Sequence, residues 1–535
     1  MAAVVGLNTT TTLQTNGSGT TPNGQANSES RPKKKLLLNA FDMNGIGHTS
    51  HGQWRNPVDR TKTKNRLDYW INLAKLLDSG RFNALFLADN FGSHDVYGGT
   101  HAPAIRAGSQ WPLYDPFVII SAMAAVTENL AFGITSCTTF EPPYLLAKRF
   151  STLDHVTNGR IAWNIVTSWS DNAARAVGLE KLPDKDTRYE MADEYLELMY
   201  KLWEGSWADD AVVQDEEIPI YSDPDKVRKI EHHGKFFNCV SAHQVDPSPQ
   251  RTPVLFQAGM SPAGIAFAAK HAECIFVGGP TPEYVGAKIK ATRQLAKEFG
   301  RQPSDLKFFL GMTPVLGATD EEARQKLASH LQYHDPEGSL AQNSGIGGFD
   351  LSKFPLDEEF PTDPDHSLLK GLDHRVVVQL TTKPRGYENS KWTPREFSKK
   401  LAIGGASVSV VGSSRTVADE MERWVNEADV DGFNLGHVVV PQAWEDVIEY
   451  LLPELERRGL FDGPSVGHGA TVRENVYGTP GNAKLRTGHP GRKWAFDVYP
   501  DGHGKVVGRE KVYESVPEAE AELEPRPEVK GPTEA

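Results

Sequence analysis

The chain has 535 residues, 39% hydrophobic and 24% charged, with a formal net charge of −13. This composition predicts a globular chain with room for one large or two ordinary domains. Its acidic balance argues against a nucleic-acid binder, and no apolar run reaches the roughly 18 residues that cross a bilayer.

Three scattered cysteines, Cys137, Cys239 and Cys274, match no zinc or redox spacing. They fit a reducing compartment, so a cytoplasmic location is expected. Residues 1–35 form a tail rich in Thr, Asn, Gly and Ser that closes on a short lysine run. They are expected to be disordered, and the apolar stretch inside them is too short for a secretory core.

Strand-like runs then alternate with helical patterns. The first strand is 36–41, and the helix after it carries Leu67, Trp70, Ile71, Ala74 and Leu77 at helical spacing. The second strand is 84–89, followed by a helix from Asp115-Pro116 to about Asn129. Strand three, 130–137, leads through a Pro-started helix to strand four, "RIAWNIVTS", and then to a long helix, "RYEMADEYLELMYKLWEG". A polar insertion over 206–251 breaks the rhythm and ends in a hairpin-like "KFFNCV". Strands at 253–259, 274–279 and 306–317 follow, each with its helix. A second insertion, about 335–392, is rich in Gly, Asp and Pro. "SVSVVGS", a helix, the last strand at 432–440 and a final helix at 443–459 complete the barrel-forming part. Residues 463–535 form a C-terminal extension whose acidic, Pro-rich end is expected to be disordered.

Eight strand–helix units predict an α/β fold, a closed (β/α)₈ TIM barrel with insertions after strands four and seven. An open doubly wound sheet is the alternative; no Gly-x-Gly-x-x-Gly supports a dinucleotide fold.

In such a barrel the chemistry sits at the C-terminal strand ends. Here those ends carry Asp42, His48 and His51, then Asp89, then Thr135 and Ser136, then Asn164, Thr167 and Ser168, then Gln257 and Ser261. A single terminal Thr or Asp is usually a cap. Five strands converging on uncharged donors and acceptors predict a pocket for a polar, planar ligand. Three places suit a phosphate: the helix opening at Lys185, Arg188 and Tyr189; "QAGMSPAG" at 257–264; and "VVGSSRTVAD" at 410–419. No metal is expected, because strands four to six supply no His or carboxylate. His48 and His51 are candidates for proton or hydrogen-bond chemistry near neutral pH, or are loop residues.

Together "FLADN", "RIAWNIVTS", "TRYEMADEYLELMYKLWEG", "VLFQAGMSPAG" and "TVADEMERWVNEADVDGFNL" resemble the bacterial-luciferase-like flavin monooxygenases. The similarity is to the group of nitrilotriacetate monooxygenase component A and dibenzothiophene-sulfone monooxygenase. "HTSHGQWRNP", "STLDHVTNGR", "PELERRGLF" and "TVRENVYG" extend it over roughly residues 36–480. The resemblance implies a (β/α)₈ barrel over 36–462 that binds reduced FMN (FMNH2), supplied by a separate NAD(P)H:flavin reductase. It further implies that O2 is a co-substrate, that a flavin C4a-hydroperoxide oxygenates a small organic substrate, and that the chain is a homo-oligomer. Carried over by residue, Asp89, Thr135, Ser136 and Asn164 would line the flavin, and Tyr189 and Ser261 would hold its phosphate. Two positions depart from the group: Lys185 stands where a His is usual, and Met260 replaces a Ser. Lys185 keeps a positive charge and Met260 keeps its backbone N–H, so both stay among the cofactor-binding candidates. His48 and His51 are candidates to hold the oxygenating group or the substrate. Alternatives are a non-catalytic flavin-binding barrel, a deazaflavin-dependent oxidoreductase and, most distant, a metallohydrolase.

Overall fold

The computed structural model describes residues 34–498 apart from 373, 384–387 and 389. Most of the N-terminal tail and the acidic C-terminal end therefore lie outside the described residues. Lys34 and Lys35 are described, and they pair with Asp431 and Asp462 at 2.9 and 2.7 Å.

Eight parallel strands close on themselves: β1 (Leu37–Met43), β2 (Ala84–Ala88), β3 (Ala131–Cys137), β4 (Ile161–Val166), β5 (Val254–Gln257), β6 (Cys274–Val277), β7 (Lys307–Leu316) and β8 (Gly432–Leu435). Closure is made by β8 beside β1, with Leu37 opposite Gly432 and Ala40 opposite Leu435. The fold class is the closed (β/α)₈ TIM barrel that the alternation predicts.

The period-two pleat sorts each strand's side chains. Leu38, Leu85, Phe132, Trp163, Leu255 and Phe308 point outward and bury against the surrounding helices. Trp163 packs there against Phe150, Tyr195 and Trp203. The alternate positions fill the barrel with a small apolar cluster that includes Phe86, Phe256 and Phe309. The Phe86 and Phe276 rings lie 4.4 Å apart, and an atom added at Gly133 would fall 2.7 Å from Phe86. The barrel is thus a packed core, not a pore.

The N-terminal end of the barrel is closed by the C-terminal extension. Val472 and Val476 join the interior cluster. Between them Arg473, fully buried, makes a two-point ion pair with Glu273 at 2.7 and 2.9 Å and donates to the Thr252 and Ala483 carbonyls.

Several boundaries differ from the sequence reading. The helix after Pro116 ends at Ala124, not near Asn129, because the Asp78 carboxylate accepts the N–H groups of Glu128, Asn129 and Leu130 and turns the chain into β3. The last strand stops at Leu435, since His437 turns inward to the Asp42 carboxylate at 2.8 Å. Val408–Gly412 is a strand outside the ring, paired among the described residues with the second half of β7 alone. The first insertion holds two antiparallel pairs rather than one hairpin. The second contains the helix Pro336–Gly347 and its own small core of Phe354, Phe360, Trp392 and Phe397.

Candidate active site

At the C-terminal strand ends two adjoining cavities open. The inner one, about 730 Å³, is lined by the ends of β2 to β5 and by Tyr189 and Phe267 from the helices Lys185–Tyr200 and Pro262–His271. The outer one, about 1020 Å³, is walled by residues 110–115, Phe117 and Glu141. Asp89, Asn90, Phe91 and Thr135 line both.

The inner cavity is rich in buried polar atoms that find no protein partner. Ser136 Oγ and Gln257 Oε1 on its wall are buried without a hydrogen bond among the described residues, as is Arg188 Nε on the neighbouring helix. Each such group costs about 1–3 kcal/mol unless something polar meets it. Arg188 otherwise donates to the Thr167 and Ser168 carbonyls. It thereby holds the loop after β4, in which Ser168 takes a left-handed φ of 61°.

At the far end the Tyr189 hydroxyl lies against Gly259 and Gly264. A Cβ at Gly259 would overlap that hydroxyl, and one at Gly264 would come within 2.7 Å of it. Ser261 caps the helix Pro262–His271 by accepting from the Gly264 N–H at 3.2 Å. Small residues, a phenol and a helix N-terminus together form a cradle that suits an anion.

Electrostatics single out Asp89. Burial, reinforced by Asp115 and Glu141, pushes its carboxyl up to about 7, although the Asn90 N–H opposes the shift. Burial raises the Cys137 thiol to about 11 and raises the Tyr189 phenol as well. Asp89 is therefore the inner-cavity carboxyl that titrates near neutrality. Its raised value sets a sign. Between about pH 4 and 7 the folded chain holds a proton that the unfolded chain has lost, so Asp89's contribution to stability falls as pH rises and levels above 7. Asp89→Asn is expected to remove that slope, which urea unfolding at pH 5, 6, 7 and 8 measures.

The sequence-derived residues divide into three groups. Asp89, Thr135, Ser136 and Tyr189 line the inner cavity. Asn164 lies just beneath its wall. It is fully buried and donates to Thr135 Oγ1 at 2.9 Å, while Thr135 donates to the Leu87 carbonyl at 2.9 Å. The Asn in the strand thus fixes a lining hydroxyl rather than lining the cavity itself. Ser261 acts through its cap, Met260 packs against the core beside it, and Lys185 is an exposed first-turn residue. Arg188, not Lys185, is the cation turned toward the cavity loop.

His48 and His51 line neither cavity. Both are buried, and burial lowers them to about 3 and about 4, so they are neutral at physiological pH. His51 Nε2 bonds Gln342 at 2.7 Å, and the His48 ring packs edge-on to Phe41. The expectation of proton chemistry near neutral pH does not fit that burial. Asp42, His48 and His437 place ligand atoms within 4.8 Å of one another. The Lys64 ammonium is 2.6 Å from Asp42 and already fills the place a cation would take. The third phosphate candidate, 410–419, is also answered internally: Asp320 accepts from the Ser413 N–H and the Thr416 hydroxyl.

Phe91, Trp169 and Phe267, which line the inner cavity, and Trp111, Tyr114 and Glu141, which line the outer one, escape the sequence reading. They lie on loops or helices, where no strand-end pattern marks them. The pair Asp115-Pro116 reads as a helix start and hides Asp115's place on the outer wall.

The family described as luciferase-like monooxygenase matches residues 50–431. The chain is 43% identical over 481 residues to the dimethyl-sulfide monooxygenase of Hyphomicrobium sulfonivorans, covering 90% of this chain and 96% of that one. The crystal structure of that organism's DmoA superposes with a TM-score of 0.82 at 40% identity, over 90% of this chain and 100% of that chain. The long-chain alkane monooxygenase of Geobacillus thermodenitrificans is 44% identical over 85% of this chain and 97% of its own. A riboflavin lyase structure with modified FMN and substrate riboflavin is 34% identical, TM-score 0.77, over 86% of this chain and 100% of that chain. The chain belongs to the luciferase-like monooxygenase family and is a flavin-dependent monooxygenase.

Proposed function

We propose that the chain is the oxygenating component of a two-component system. It binds reduced FMN in the inner cavity, draws that flavin from a separate NAD(P)H:flavin reductase, and uses O2 to oxygenate a small organic substrate. The observation that carries this is the inner cavity itself: unpartnered Ser136 and Gln257 groups along its wall, and the Tyr189, Gly259, Gly264 and Ser261 cradle at its end. The donor set fits the flavin. Polar wall atoms would meet a ring system that both donates and accepts, and a helix N-terminus with a phenol would hold its phosphate. The riboflavin lyase relative, solved with modified FMN, supports the same assignment.

When bound, the flavin supplies the electrons and the oxygen activation. The chain's residues bind, orient and exclude water. Asn164 holds the Thr135 hydroxyl in place, so that lining hydroxyl is fixed before any ligand arrives. Asp89, raised to about 7, holds or releases a proton at its carboxyl where the two cavities meet. Phe91 and Trp169, half-buried on the cavity wall, would exclude water from a bound flavin.

Tyr189→Phe is expected to weaken reduced-FMN binding about tenfold, the worth of one hydrogen bond to a charged oxygen. Anaerobic flavin titration measures it, and unchanged affinity would count against the cradle. Activity is tested by adding a generic NADH:FMN reductase, 18O2 and a panel of small neutral, basic and acidic organics. One labelled oxygen atom per product supports the proposal. Bound FMN with no labelled product from any panel member would favour a non-catalytic flavin-binding barrel.

A further inference from the structure

The outer cavity carries a second piece of chemistry. Its wall is a strap, residues 110–115, stitched to the end of β1. Gln110 N–H donates to the Ile46 carbonyl at 2.8 Å, Ile46 N–H to Pro112 at 3.3 Å, and Tyr114 N–H to Asn44 at 2.7 Å. The Asn44 side-chain amide donates to the Asp115 carbonyl at 3.1 Å. The wall is therefore fixed, and it presents Trp111, Tyr114, Phe117 and Phe91 to the cavity. Trp111 and Tyr114 remain 38% and 37% exposed, so part of each ring is free.

Among these rings stand three acidic groups, Asp115 and Glu141 with the partly protonated Asp89, and among the described residues no Lys, Arg or His lines either cavity. Arg149 pairs with Glu141 at 3.4 Å and lies over the Phe117 ring at 4.8 Å. That interaction offsets one carboxylate only. Asp115 makes no ion pair among the described residues; one of its oxygens accepts from the Phe117 N–H at 2.8 Å. Asp89 accepts only from the Asn90 N–H at 2.9 Å. Its second oxygen has no protein donor among the described residues, and the residue lines both cavities. Aromatic faces with unpaired carboxylates attract a weakly hydrated organic cation and repel an anion.

We infer that the outer cavity recognises an organic cation, and that the substrate carries an ammonium or sulfonium group seated between Trp111, Tyr114, Asp115 and Glu141. This rests on the monooxygenase reading only in calling the occupant a substrate; the binding preference stands on the cavity itself.

The test uses the full chain, with and without oxidised FMN, titrated calorimetrically with three probes of one shape. These are choline, its neutral isostere 3,3-dimethylbutan-1-ol, and the anion 3,3-dimethylbutanoate. Choline is expected to bind at least about fivefold more tightly than the alcohol, with the anion weakest. The preference should shrink in 0.5 M salt and vanish in Asp115→Asn/Glu141→Gln. Trp111→Ala should weaken choline several-fold while FMN affinity and the circular dichroism spectrum stay unchanged. Equal or tighter binding of the alcohol or the anion would overturn the inference. So would absence of choline binding at millimolar concentration in the folded chain, or a preference that survives the double substitution. Failure of FMN to bind would sink the flavin reading and leave the cation test intact, because the probes are also titrated without flavin.

Discussion

Arg473→Ala is expected to lower folding stability by about 3–5 kcal/mol, because it strands a buried carboxylate. Glu273 is 1% exposed, and its two oxygens meet Arg473 on one side and the Leu255 N–H on the other. Without the guanidinium, the acid has lost its only ion-pair partner among the described residues. The Thr252 and Ala483 carbonyls lose their donor at the same time. The site also joins the C-terminal extension to the barrel floor, flanked by Val472 and Val476. The loss should therefore be partly local. Hydrogen exchange should show residues 471–477 opening well before the strands, and urea unfolding should report the global part. Arg473→Met with Glu273→Gln should recover much of the loss, since no charge is then left unpaired. A single substitution that changes the urea midpoint by less than about 1 kcal/mol equivalent would contradict the account.

The second large effect lies at the other end of β1. Lys64→Met is expected to destabilise by a similar ~3–5 kcal/mol. Lys64 donates to Asp42 at 2.6 Å and to the Met43 carbonyl at 2.8 Å, and both charged groups are out of solvent. Burial alone would raise the Asp42 carboxyl. Lys64 and His437 overcome burial and hold it far below the usual range. The sign follows directly. A depressed carboxyl adds stability that is present above about pH 4 and is lost as pH falls toward the folded value. In Lys64→Met burial is no longer outweighed, so the carboxyl rises and stability should instead fall as pH climbs from 4 to 7. That reversal of slope, read from urea midpoints, is a signature that simple loss of packing does not produce. Asp42→Asn in the same background should flatten it.

Much of the barrel is legible in the sequence because burial enforces it. The runs at 84–88 and 161–166 must be buried on both faces in a parallel barrel, and apart from Asn164 they read as apolar throughout. Trp163 and Asn164 show how far such reading goes. Their alternation places one on the helices and one inside, yet nothing in the local pattern says that Asn164 ends on Thr135. That pairing is set by the neighbouring strand's register, Thr135 opposite Asn164.

Helix ends were less legible, because side chains distant in sequence decide them. Asp78 terminates the helix ending at Ala124, and Asp42 pulls His437 out of strand geometry. Beside the Tyr189 cradle the sequence shows a cationic cluster but not which member turns inward: Lys185 sits on the exposed side of the first helical turn, while Arg188 reaches inward. The outer cavity was hidden because its wall is a loop strap whose aromatic residues carry no period.

The central claim is that the inner cavity is a reduced-FMN site built on Tyr189, Gly259, Gly264 and the polar ends of β2 to β5. Its most direct test is an anaerobic titration of the purified chain with photoreduced FMN, run beside Gly264→Ala. A methyl there would fall 2.7 Å from the Tyr189 hydroxyl and 2.8 Å from the Gly259 backbone. The account predicts one saturable site in the parent chain and at least about tenfold weaker binding in the variant, with the fold intact. Absence of saturable binding, or equal affinity in the two proteins, would contradict it.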